Sequence, residues 1–305
     1  MKFLLIILTI VNTGCVLAVP PKMKFTLKVI DLETKQSITN ALVWTGFTQK
    51  EDPWGIGVGK SYIIEEKIGS KGIATYSGNS VNGGHGGSVF AEGYYYSGFD
   101  FKYKTNKILN RWEPWNPTIT VKLRPKKDPV PMRYKQIKSL KVSVFNKPVG
   151  FDLEVGDWVA PYGKGKIADF IFLITSTKTP KKGVCYKLVF SNPDDGIQEY
   201  EFPKNLDSSF KWLYLAPLSG YQSSLKRFAY YRFPNPTVPS TNIKKDINYI
   251  FRIRSKRNKK GEIVSACYGR IKGDLRISKE GLFYFQYWFN PNPKSRSLES
   301  KNKPY

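Results

Sequence analysis

The chain is 305 residues long and sets 49 Lys and Arg against 24 Asp and Glu, a net charge of +25. Hydrophobic residues make up 41% and aromatic residues 15%, enough apolar mass for a sizeable core, which excludes wholesale disorder. A single histidine excludes any zinc site built on two or three imidazoles, and no Cys-x-x-Cys pair replaces them; no metal and no cofactor are expected.

The first eighteen residues read as a secretory signal. Lys2 supplies a positive start, Phe3 to Val11 is apolar apart from Thr9, and Val16-Leu17-Ala18 offers the small or aliphatic residues a signal peptidase reads. A permanent span would need about 20 apolar residues. Thr13-Gly14-Cys15 also resembles the end of a bacterial lipoprotein box, with Asn12 where that pattern wants an aliphatic residue. A lipid anchor at Cys15 therefore stands beside cleavage after Ala18. Both place the product outside the cytoplasm: periplasmic, outer-envelope or extracellular.

After the leader, alternation dominates and helical periodicity is hard to find. Phe25, Leu27 and Val29 alternate with Thr26, Lys28 and Ile30 as an opening strand, and residues 31–37 form a turn. Extended structure resumes from Ile38 to Trp44, Lys71-Gly72 turns into Ile73 to Tyr76, and Ser88 to Tyr94 forms a strand broken at Gly93. Gly83-Gly84-His85-Gly86-Gly87 reads as a loop exposing the lone histidine. Thr118 to Leu123 alternates as a closing strand.

These pieces carry a resemblance. Val29-Ile30-Asp31 with Thr34, Ile38 to Val43, Lys71 to Ala74, Val89 to Tyr94 and Ile119 to Leu123 resemble, in order and role, the carboxypeptidase regulatory-like or transthyretin-like β-sandwich family. Ser37 stands where that family often has Pro, and the segment from Thr48 to Lys67 is longer than usual. The resemblance implies a seven- or eight-stranded sandwich serving as a non-catalytic module on exported proteins. It brings no catalytic residues with it.

Residues 125–131 hold three prolines, which favour an extended linker over a continuing sheet. The expected organisation is all-β: a signal over 1–18, the sandwich over 19–125, a linker over 126–138, a second β-rich domain over 139–290 and a fraying tail over 291–305. Within the second domain, Leu140 to Val144 alternates, Asp169 to Ile174 is a buried run, and Leu282 to Phe289 is a long aromatic strand. Tyr249 to Arg254 pairs with Ile263 to Tyr268 across a tip containing Gly261. Pro234, Pro236 and Pro239 interrupt the chain before that hairpin.

Four groups of residues are candidates for function. The hairpin concentrates Arg252, Arg254, Lys256, Arg257, Lys259 and Lys260, which suits phosphate or carboxylate binding, or else blocks edge-to-edge aggregation. Tyr94, Tyr95, Tyr96, Trp112 and Trp115 are candidates for stacking on sugar rings, or for covering the sandwich. Asp152 and Glu154, roughly 6.5–7 Å apart if on one strand face, together with Asp157 suggest a carboxylate acid/base pair for glycoside hydrolysis, or a polar turn. Cys185 and Cys267 form either one disulfide or two buried thiols.

The charge surplus favours anionic partners. The reading from sequence is thus a non-enzymatic exported protein that contacts an anionic glycan, a membrane surface or other envelope proteins. Nucleic acid is the least expected partner. A carboxylate-dependent glycoside hydrolase is the alternative, and a self-associating structural subunit is a third.

Overall fold

The computed structural model describes residues 19–50, 60–106, 108–177, 181–232, 239–278 and 280–302. The leader with Cys15, part of the long segment after Thr48 and the break at Pro234 and Pro236 lie outside the described residues. The described residues form strands and turns with no helix, so the chain is all-β. No helix among them is long and apolar enough to cross a membrane. Two compact units meet in sequence after Leu123.

The first unit contains β1 (Lys22–Asp31), β2 (Leu42–Lys50), β3 (Lys60–Lys67), β4 (Ile73–Asn79), β5 (Gly84–Phe90), β6 (Tyr94–Tyr95), β7 (Ser97–Lys102), β8 (Lys104–Asn106), β9 (Arg111–Glu113) and β10 (Thr118–Pro125), the last running past the division. One sheet has the order β6-β10-β1-β9-β8, with β4 also on β1; the other runs β3-β2-β5-β7. The alternation read in β1 is physical: Met23, Phe25, Leu27 and Val29 are fully buried, as successive side chains point to opposite faces. β10 lies parallel to β1 in the register Leu27↔Ile119 and Val29↔Val121. Val43, Phe47, Val89 and Phe99 from the second sheet complete the same core.

The glycine run is a strand, not a loop. His85 lies within β5, 7% exposed, and its register partner on β7 is Phe101. Its ring packs against Phe25 and Phe47 at 4.4 and 5.4 Å between centroids. The flanking glycines have no side chain to announce a strand period, which is why the segment resembles a loop. Gly87 has no room for anything larger, since a Cβ there would lie 2.4 Å from the Trp44 carbonyl oxygen.

The second unit contains β11 (Arg133–Lys141), β12 (Pro148–Asp152), β13 (Asp157–Trp158), β14 (Phe170–Thr177), β15 (Lys181–Val189), β16 (Gly196–Glu201), β17 (Ser224–Arg232), β18 (Pro239–Thr241), β19 (Ile247–Arg257), β20 (Ile263–Ile277) and β21 (Leu282–Asn290). Its sheets are ordered β11-β21-β20-β19-β16 and β13-β12-β14-β15-β17-β18. Phe151, Phe170, Phe172 and Tyr186 of one sheet share a core with Phe251, Phe283, Phe285 and Tyr287 of the other. Edge-on pairs such as Phe170 on Phe251, 5.2 Å apart at 83°, mark the contact.

Two expectations fail here. Arg133 to Lys138 are not linker but the first strand of this unit, paired from Arg133↔Phe289 to Ile137↔Phe285. Residues 291–300 are not a loose tail. Ser297, Leu298, Glu299 and Ser300 are buried, and the Glu299 carboxylate accepts the backbone N–H groups of Lys127 and Asp128 at 3.0 and 2.7 Å. Leu298 is fully buried, which the polar composition around it does not reveal.

Candidate functional site

The β19–β20 hairpin forms, with Arg252↔Tyr268 and Ile253↔Cys267 in register, but β19 runs on to Arg257, so Ser255, Lys256 and Arg257 belong to the strand and not to the tip. Its arginines are nevertheless occupied. Arg252 is 8% exposed and donates from Nε to the Asp194 carbonyl at 2.9 Å and from Nη1 to the Leu218 carbonyl at 2.9 Å. Arg254 sits at a bulge with φ of 56° and clasps buried Asp169 through Nε and Nη2 at 2.7 and 2.9 Å. Burial pushes the Asp169 carboxyl upward in spite of that pairing. Arg257 is held by Asp194, through Nε at 2.6 Å. Lys256, Lys259 and Lys260 are exposed, so half of the expected cationic cluster is structural.

The carboxylate candidates do not assemble an acid/base pair. β12 ends at Asp152, so Glu154 lies in the turn before β13 and not on a shared strand face. Asp152 is 2% exposed and accepts four backbone N–H groups: Glu154 at 2.9 Å, Val155 at 3.1 Å, Lys166 at 2.8 Å and Ile167 at 3.1 Å. Burial alone would raise its carboxyl, but those four donors hold it below the usual carboxylate range. Asp157 accepts from the Trp158 and Lys164 backbones, and Glu154 faces Arg254 at 3.7 Å and Arg133 at 4.0 Å. These groups tie a turn together.

The aromatic candidates separate. Trp112 is a core residue of the first unit, 7% exposed, with its indole N–H on the Ser80 carbonyl at 2.9 Å. The Trp115 ring is covered by Lys24 and Arg111, 5.9 and 5.2 Å from its centroid. Tyr95 is buried, and the Tyr94 hydroxyl donates to Asp31 at 2.9 Å. Tyr96 is half-buried against Phe90, which also touches Trp44. Trp44, the most accessible ring of that trio at 47% exposure, escaped the sequence reading because it lies inside an ordinary strand. Cys185 and Cys267 are both free, on β15 and β20, which belong to different sheets; the disulfide is not formed.

The feature that sequence reasoning missed is a groove of about 870 Å³ in the second unit. β21 runs between β11 and β20, and both neighbours break register at the same level. β11 slips between Ile137 and Leu140, and β20 slips between Lys272 and Arg276 while β21 advances only from Gln286 to Tyr284. Such bulges re-aim side chains. Gly273 at the bulge has φ of 78°, which L side chains rarely adopt, although a Cβ there would meet nothing.

Five cations line the groove: Lys138, Lys244, Lys245, Lys272 and Arg276. Lys244 pairs with Glu199 at 2.5 Å. Lys138, Lys245, Lys272 and Arg276 are exposed. Asp274 is the acid of the lining, and its charge is already spent. Its side chain, 1% exposed, accepts from Arg227 Nε at 2.9 Å, from the Tyr249 hydroxyl at 2.7 Å and from the Lys244 backbone N–H at 2.9 Å. Burial and the Asp274 carboxylate push the Tyr249 hydroxyl far above its ordinary pKa, so it stays protonated and donates. Gln136, Gln286 and Lys272 lie opposite one another across three strands and therefore share one face, and Tyr284 opposes Arg276 on that face. Among the described residues no cluster of His, Cys, Asp and Glu is arranged to hold a metal ion.

Comparison with family models and with curated proteins finds no match. Among solved structures, BcpA, the major pilin subunit of Bacillus cereus, is 11% identical over 90% of this chain and 97% of that one, with a TM-score of 0.23. A protein of unknown function from Bacteroides fragilis, described as membrane-associated, is 12% identical over the same shares, with a TM-score of 0.18.

Proposed function

We propose that this is an exported, non-enzymatic binding protein whose second unit captures an anionic polymer in the groove between β11, β20 and β21. One observation carries the reading. Among the described residues, four exposed cations from three separate stretches of chain converge on one concavity, while the one carboxylate of its lining is paired with Arg227 and accepts a hydrogen bond from Tyr249. In a concave site of one sign the potential is focused, which raises the local concentration of a counter-charged partner. The groove replaces the hairpin as the contact surface, because Arg252, Arg254 and Arg257 are already engaged.

The first unit fits an accessory role. Its two sheets and alternating core agree with a carboxypeptidase regulatory-like sandwich, and we assign it that role on the resemblance of its motifs. Export rests on the leader at residues 1–18.

The test is a titration of fluorescent dextran sulfate, used as a generic polyanion, at low and high salt. Binding weakens steeply with salt. The double variant Lys272→Glu, Arg276→Glu loses it, whereas Lys259→Glu, Lys260→Glu at the hairpin tip changes it little. Equal loss from the hairpin pair, or salt-independent binding, refutes the assignment.

A further inference from the structure

The geometry points to a polysaccharide of sugar acids as the ligand of this groove, in preference to a polyphosphate or an anionic membrane; the inference rests on the groove reading above. A polyphosphate would need cations alone, and a membrane would need them on a convex or flat surface. This groove offers more than charge. Beside the cations lies an aromatic ring, Tyr284, half-buried on the strand between the two bulges. Sugars differ from phosphate chains in having C–H faces that pack on such surfaces, as planar rings do in mixed sites.

The polar pattern supports the same ligand. Gln136 and Gln286 stand opposite one another on β11 and β21; the Gln286 Oε1 accepts from the Tyr134 hydroxyl at 3.4 Å, while Gln136 is exposed, with an amide that both donates and accepts. A ligand bearing only anionic oxygens uses the donor half of an amide. Sugar hydroxyls use both halves. Lys272 lies in the row of the two glutamines and Arg276 in the row of Tyr284. Those rows are two residues apart along β21, roughly 7 Å. Each carboxylate-bearing sugar therefore finds a cation beside a neutral partner: Lys272 next to the amides, and Arg276, whose planar guanidinium can grip a carboxylate through two donors, next to the ring. The buried hub of Asp274, Arg227 and Tyr249 fixes the bulge that holds Lys272 and Arg276 on either side of Gly273.

The experiment compares polygalacturonate, polyphosphate and phosphatidylserine-containing vesicles as probes of the full chain at one ionic strength. Polygalacturonate is expected to bind at least about tenfold more tightly than polyphosphate. Tyr284→Ala, and separately the surface variant Gln136→Ala, should weaken polygalacturonate several-fold to about tenfold and leave polyphosphate unchanged. Lys272→Glu with Arg276→Glu should lose both. Polyphosphate or vesicles bound as well as polygalacturonate, or neither neutral variant affecting it, overturns the sugar-acid assignment while the groove remains an anion site. If no probe binds, or the charge-reversed variant binds all of them, the groove reading itself falls.

Discussion

The buried imidazole of His85 gives the first unit a pH dependence that can be calculated. The ring is 7% exposed among Phe25, Phe47 and Phe99, and its Nε2 lies 2.9 Å from the Thr45 hydroxyl. Burial pushes its pKa from 6.5 down to about 4. The folded state therefore holds a neutral ring where the unfolded chain would take a proton. Stability from this group is complete above the unfolded value and is lost as pH falls toward the folded one. The linkage relation gives a loss of about 2 kcal/mol between pH 7 and pH 5, approaching about 3 kcal/mol below pH 4. Because the sequence has one histidine, ring-proton NMR reads this residue without ambiguity. Urea unfolding of the wild type and of His85→Gln at pH 7 and pH 5 reads the energetic consequence, and the variant should lack the extra sensitivity. An imidazole that titrates near 6.5 in the folded protein, or identical pH profiles for the two proteins, would refute the reasoning.

Other outcomes follow from the second unit and the core. Asp152→Ala should destabilise by about 3–5 kcal/mol, since four backbone donors lose their acceptor in a buried turn, and thermal unfolding measures it. Gly83→Ala would put a Cβ 2.6 Å from the Trp112 ring and 2.7 Å from the Tyr103 carbonyl oxygen, so a loss of about 1–3 kcal/mol is expected in denaturant titration. Cys185 and Cys267 should both be alkylated after denaturation without reductant, and mass spectrometry that finds them unmodified and linked would contradict the free thiols.

Much of the fold was legible because its strands have one buried face. The period of two in β1, β10 and β21 is written directly in Phe25, Leu27, Val29, Ile119, Val121, Phe283 and Phe285. Where packing is decided by something other than apolar side chains, the reading failed. β5 hides its period behind glycines. Residues 291–302 are held by one leucine, one buried carboxylate and a series of hydrogen bonds, none of which alternates. Arg133 to Lys138 pair through the backbone while their composition reads as solvent-facing.

The candidate site was less legible still. The hairpin arginines were visible as a cluster in sequence, but their partners Asp169, Asp194 and Leu218 are distant in the chain. The groove has the opposite character: its cations come one or two at a time from residues 138, 244, 245, 272 and 276. Residues 138, 272 and 276 sit at paired register slips and 244 and 245 come from the segment between β18 and β19, and a slip of two residues leaves no compositional mark beyond a glycine. Gly273 followed by Asp274 inside a long strand pattern was the available signal.

The closing stretch of the chain has a mechanical consequence. Val130 pairs with Ser300 in a parallel bridge, the Lys301 backbone N–H donates to the Val130 carbonyl at 3.0 Å, and Glu299 grips Lys127 and Asp128. Entry and exit of the second unit are thus fastened side by side. Tension applied through the two ends would load this clasp in shear before any of it reached the sheets, leaving the groove undistorted until the clasp gave way.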